Sequence, residues 1–84
     1  MEDTKATMGM RIAAMRGFRR MTQDELGSAV GVTKQTVSGW EHGRRAPDSD
    51  LLAGICKTLD CSADYLLGLA DRPDGTYKGD GGWS

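Results

Sequence analysis

Residues 31–47 read GVTKQTVSGWEHGRRAP. Thr33 is a favoured N-cap residue and Gly43 a favoured stop, so the spacing predicts a short helix between them. Val37 and Trp40 fall three residues apart and share one side of that helix, while Lys34, Gln35 and Ser38 lie on another. A helix that only fills a core has no use for that polar side. Nor does it need the Arg44-Arg45 pair that follows at once.

The residues before this stretch predict a second helix, which starts on a clear signal. Thr22-Gln-Asp-Glu25 is a capping box, in which the Thr22 hydroxyl accepts from the Glu25 amide and the Glu25 side chain reaches back. Met21 and Leu26 stand in hydrophobic-staple positions, and Leu26, Ala29 and Val30 are expected to face inward. Gly31 stops the helix in the left-handed conformation that glycine adopts at little cost. Val32 and Val37 staple the next start. Two short helices joined by so tight a turn cannot lie antiparallel, so they cross steeply, as in a helix-turn-helix.

Three further helices complete the pattern. Met8, Ile12 and Met15 form one stripe of a first helix over roughly residues 7–20, weakened by Gly9 and Gly17. Asp48 caps a fourth helix with Leu52, Ile55, Cys56 and Leu59 on its inner face, and Asp60 takes the left-handed stop. Ser62 caps a short fifth helix that ends before Gly68. The reading gives an N-terminal arm over residues 1–7, a helical domain over 8–69 and a flexible glycine-rich tail over 70–84. Tyr77 and Trp83 are the only aromatics in that tail.

Eighty-four residues make one small domain, with little room for a separate sensor. A hydrophobic fraction of 38% and a charged fraction of 27% are ordinary for a globular chain. No apolar run reaches membrane length and no signal-peptide pattern opens the chain, so the default location is the cytoplasm. Cys56 and Cys61 read as free thiols, and with His42 as the only other soft ligand a four-ligand zinc site is nearly excluded.

The net charge is only −1, but it is segregated. Residues 5–47 carry eight basic and three acidic side chains, a net +5, whereas residues 48–84 carry three basic and seven acidic, a net −4. A phosphate backbone responds to the local field and not to the sum.

TQDELGSAVGVTKQTVSGWEHGRRAPDSDLLAGICKTLDCSADYLLG resembles the Cro/C1-type (XRE-like) helix-turn-helix domain of bacterial and phage regulators. The pattern is carried by Thr22-Gln23, Leu26, Gly31, Val32, Val37, Trp40-Glu41, Gly43, Pro47 and Asp64-Tyr65-Leu66-Leu67, and spans about residues 8–69. Two positions depart from it: Gly27 stands where alanine is usual, and Arg20 where a glycine usually ends the first helix.

The resemblance implies an all-α, five-helix lambda-repressor-like DNA-binding domain whose third helix enters the major groove. Residue by residue, it implies base reading by Lys34, Gln35, Thr36, Ser38, Gly39 and His42, and phosphate contacts from Gln23, Thr33, Arg44 and Arg45. It also implies a partly buried ion pair between Arg16 and Glu41, structural in purpose. Lys5, Arg11, Arg19 and Arg20 read instead as solvated surface charge.

The function expected on this basis is a sequence-specific transcription regulator, most simply a repressor binding a palindromic operator on double-stranded DNA as a homodimer. Such a protein works in the cytoplasm, associated with the nucleoid. Tyr65, Leu67 and Leu69 exceed what one short helix can bury alone, and they are the expected dimer contacts. The alternative is a protein-interaction module, such as an antitoxin, served by the tail with Tyr77 and Trp83. An enzyme is disfavoured: there is no nucleophile elbow, no phosphate loop and no metal cluster, and no cofactor motif appears.

Overall fold

The structure is a computed structural model that describes residues 3–76. Five helices follow in order: α1 (Thr4–Phe18), α2 (Gln23–Val30), α3 (Lys34–Glu41), α4 (Ser49–Leu59) and α5 (Ala63–Leu67), with no strand among the described residues. α1 packs on α3 and α5, while α2 packs on α3 and α4. Met8, Ile12, Met15, Leu26, Val37, Trp40, Ile55, Leu59 and Leu66 form one buried core to which every helix contributes. The fold is the expected all-α, five-helix one.

Each helix starts on a side-chain cap and ends on a left-handed residue. Thr22 Oγ1 accepts from the Glu25 amide at 3.0 Å, and Glu25 Oε1 accepts from the Thr22 amide at 2.8 Å. Thr33, Asp48 and Ser62 accept from Thr36, Leu51 and Tyr65 amides in the same way. The stops are Arg20, Gly31, Gly43, Asp60 and Gly68, all at positive φ. After each stop the next amide donates back across the last turn, as Val32 does to Gly27 O at 2.8 Å and Arg44 does to Gly39 O at 2.9 Å.

α1 differs from expectation at both ends. It begins at Thr4, inside the segment read as an arm, because Asp3 Oδ1 caps it by accepting from the Lys5 amide at 3.0 Å. At its other end Arg20 takes the glycine position at φ 58°, and the Met21 amide donates to Arg16 O.

The segment expected as a flexible tail also behaves differently over residues 70–76. Ala70 is buried, the Ser62 amide donates to Pro73 O at 2.7 Å, and the Asp71 and Arg72 amides both donate to Thr76 O. These residues close a turn against the start of α5. Tyr77 and Trp83 lie outside the described residues.

Two details of the core were read differently from sequence. Ala29 is exposed, and Leu52 is half-buried at the rim, packed against the core. Cys56 and Cys61 are free and half-buried. Burial pushes the Cys61 thiol up to about 11, helped by the neighbouring Cys56, so it stays protonated at neutral pH.

Gly9 acquires a purpose that the sequence did not disclose. A Cβ there would overlap the Trp40 carbonyl oxygen and reach 3.0 Å from Glu41 O, so α1 and α3 meet backbone to backbone. Gly27 does the same between α2 and the turn, where a Cβ would stand 2.7 Å from Val32 O. Gly17, on the same helix as Gly9, has open space around it.

The same substitution at these two glycines of α1 is therefore expected to act in opposite directions. Gly17→Ala gains helix propensity and raises the unfolding free energy by about 0.5–1 kcal/mol. Gly9→Ala forces the helices apart and lowers it by about 3 kcal/mol, at the upper end of ordinary overpacking costs. Urea denaturation of the two variants beside wild type checks both signs.

Candidate nucleic-acid interface

The geometry of α3 follows from its two faces. Val37 is fully buried and Trp40 is 2% exposed, and they fix the helix against the core. Lys34 and Gln35 stand exposed on the opposite side, without a side-chain partner among the described residues. Thr33 and Thr36 are joined at the helix start, with their hydroxyl oxygens 3.1 Å apart. Thr36 is half-buried, so its hydroxyl belongs to the cap and only part of its surface faces outward.

Ser38 and His42 face each other. His42 Nδ1 lies 2.8 Å from Ser38 O and 3.3 Å from Ser38 Oγ. A carbonyl oxygen only accepts, so Nδ1 carries the proton in that bond. In that tautomer the other ring nitrogen, Nε2, is the acceptor. Of the side chains expected to read bases, these two therefore act as a unit.

Gly39, among the positions expected to face bases, is buried. The stem of Arg45 lies over it, 3.2 Å from where a Cβ would stand. Arg44 and the Arg45 guanidinium have no side-chain partner among the described residues.

Gln23 is held from within. Its Nε2 donates to Glu41 Oε1 at 3.0 Å, so one of its two amide protons faces the protein and one remains for an outside acceptor. Glu41 also receives Arg16, with Nε to Oε2 at 2.7 Å and Nη2 to Oε1 at 3.1 Å. The expected ion pair is present, and it is bidentate. Arg16 Nη1 spends a further bond on Met21 O at 2.8 Å.

The Glu41 side chain is only 7% exposed. Burial pushes its carboxyl up, but the hydrogen bonds from Arg16 and Gln23, with the Arg16 charge, outweigh that and hold it below the ordinary carboxylate range. The same hydrogen bond raises the Arg16 guanidinium further, against its burial.

Arg11 and Arg19 are not the solvated charges that the sequence implied. Arg11 Nη1 donates to Tyr65 O and to Ala70 O, both at 2.6 Å, and its guanidinium lies 4.4 Å from the centre of the Tyr65 ring. Arg19 donates to Leu59 O at 2.8 Å and Asp60 O at 3.2 Å. Arg19 thereby meets carbonyls at the end of α4 and Arg11 one in the last turn of α5, which places positive charge at the negative ends of those two helix dipoles. Among the expected dimer contacts, Tyr65 and Leu67 are half-buried and Leu69 is 54% exposed. Met10 and Phe18 are exposed as well, an apolar surface that the stripe on α1 did not announce.

A short helix docked on a capped helix through a glycine turn, inside a five-helix core, defines a helix-turn-helix domain. The helix-turn-helix family model matches residues 12–66, and the chain belongs to the Cro/C1-type family of such domains. Repressor protein C2 of Salmonella phage P22 is 42% identical over 60 residues, which covers 71% of this chain and 28% of the repressor. The transcriptional regulator DicA of Escherichia coli K12 is 34% identical over 67 residues, 80% of this chain and 50% of DicA. The chain thus spans half or less of the length of these two relatives. The crystal structure of the P22 c2 repressor in complex with a synthetic operator is similar with a TM-score of 0.71 at 40% identity, over 74% of this chain and 94% of that one.

Glu41 binds fewer protons in the folded chain than in the unfolded one. The stability it contributes is whole above the ordinary carboxylate range, and it is lost as pH falls through the depressed native value. Glu41→Ala is expected to lower stability by about 3 kcal/mol at neutral pH, and the gap to wild type should narrow on acidification through that window. Equal melting temperatures at neutral pH would contradict the pairing.

Proposed function

We propose that the chain is a sequence-specific transcription regulator that places α3 in the major groove of double-stranded DNA. One observation carries this reading. Lys34 and Gln35 stand exposed and unpartnered among the described residues, on a helix locked from behind by Val37 and Trp40. Gln pairs bidentately with adenine N6 and N7, and Lys donates to guanine O6 and N7. The exposed part of Thr36 would meet a thymine methyl, and His42, seated on Ser38, would offer an acceptor to an exocyclic amine.

Phosphate contacts fall to Arg44 after α3, to Thr33 at its cap, and to Gln23 with the free amides at the start of α2. The readers are few: two long polar side chains and several small ones. Useful specificity therefore calls for two copies on a palindromic operator, with Tyr65, Leu67 and Leu69 as contacts between them. Repression by occupancy is the simplest outcome. The P22 repressor, at 42% identity, is a relative of that kind. No described helix is long and apolar enough to cross a membrane, and we place the protein in the cytoplasm, on the nucleoid.

A second reading, docking to a partner protein, draws on exposed Met10, Phe18 and Leu69. Salt separates the two. Duplex affinity falls with added salt at a slope of about −0.9 per phosphate contact, whereas an apolar contact is insensitive.

Selection of bound fragments from random duplex DNA, with purified protein at fixed salt, is expected to return a palindromic consensus. Gln35→Ala should then lose about 1–3 kcal/mol of discrimination at one base pair in each half-site. Duplexes that bind no better than a neutral polymer at low ionic strength would sink the reading.

A further inference from the structure

We infer that Arg45 is a base-reading residue, delivered to the reading face of α3 through the space that Gly39 leaves. This rests on the DNA-binding reading above and goes further, because a loop arginine behind the helix is otherwise assigned to the phosphate backbone.

The argument starts with the glycine. Gly39 sits inside an eight-residue helix, where glycine is among the least favourable residues. It is one helical turn beyond Gln35, so a side chain there would project from the same face as Gln35. The room for that side chain is occupied: an added Cβ would meet Arg45 Cγ and Cδ at 3.2 Å and Nε at 3.4 Å.

The loop brings Arg45 there by its own hydrogen bonds. Gly43 turns the chain at φ 72°, its amide donates to Trp40 O at 3.0 Å, and the Arg44 amide donates to Gly39 O at 2.9 Å. The chain is thereby folded back along the last turn of α3, and Arg45 is the next residue.

The head of this arginine differs from those of Arg11, Arg16 and Arg19. Arg11, Arg16 and Arg19 each spend their donors on carbonyls or a carboxylate of the protein. The Arg45 stem lies over Gly39 and its guanidinium has no partner among the described residues. A fork whose stem already lies along the helix loses less freedom when it binds. Its geometry matches guanine O6 and N7. A phosphate contact from the loop would not require position 39 to be bare.

The test compares the selected operator with its single-base-pair variants, using the full chain at one salt concentration. Wild type is expected to prefer guanine at one base pair per half-site by roughly 5- to 150-fold. Arg45→Ala should remove that preference and leave the others in place. Gly39→Gln should remove it too, because the new side chain takes the path of Arg45. Melting curves establish that both variants fold.

If Arg45→Ala weakens every operator by one common factor and lowers the salt slope by about one contact, Arg45 holds phosphate and the inference is overturned. Retention of the guanine preference in Gly39→Gln overturns the use of the glycine space. A wild-type chain that selects no duplex at all refutes the functional reading itself, and does so before any variant is compared.

Discussion

The carboxylate of Glu41 holds the arrangement together. It is the last residue of α3, at the negative end of that helix, where an unpaired negative charge is unfavourable. Arg16 from α1 and Gln23 from α2 both donate to it. Three helices are therefore referred to one charged group that is mostly shielded from water. The attraction needs the helices to be close, and Gly9 permits that by letting α1 lie directly on the carbonyls of Trp40 and Glu41. Close crossing and charge pairing support each other: a side chain at position 9 would meet the Trp40 carbonyl, and a Glu41 carboxylate left unpaired would be costly to bury.

Much of the fold was legible because helix ends are local chemistry. Thr22 with Glu25, Thr33, Asp48 and Ser62 announce starts within four residues, and Gly31, Gly43 and Gly68 announce stops. α1 was the least legible helix for the same reason. Asp3 caps it five residues before the first stripe residue, Met8, so the apolar period gave no cue that the helix had already begun. Arg20 in the left-handed stop carries no propensity signal at all; only the bonds to Gly17 O and Arg16 O across the turn define it.

Within the candidate site, the two faces of α3 could be read from helical spacing, whereas the partners of its polar side chains could not. Gln23 meets Glu41 across 18 residues, and Arg11 meets Tyr65 and Ala70 across 54 and 59. Such pairs have no periodicity to detect, because they depend on where helices end in space. Gly39 shows the limit most clearly. Its lack of a side chain was visible, but which group fills the space depends on the hand of the turn at Gly43 and on the direction of the residue two places later.

The charge distribution needs the same distinction between composition and place. All eight cations between residues 5 and 47 contribute to the field that a distant polyanion feels, since hydrogen bonding to a carbonyl fixes an arginine without neutralising it. Contact is a stricter matter. Arg11, Arg16 and Arg19 have their donors directed at the protein, and Arg16 is matched by Glu41. Lys34, Arg44 and Arg45 remain on or just after α3, with Lys5 and Arg20 exposed elsewhere. The acidic residues nearby are also partly committed, since Glu25 closes the capping box and Glu41 is paired. A chain with a net charge of −1 can thus attract a polyanion broadly through one half while touching it through only a few side chains grouped around one helix.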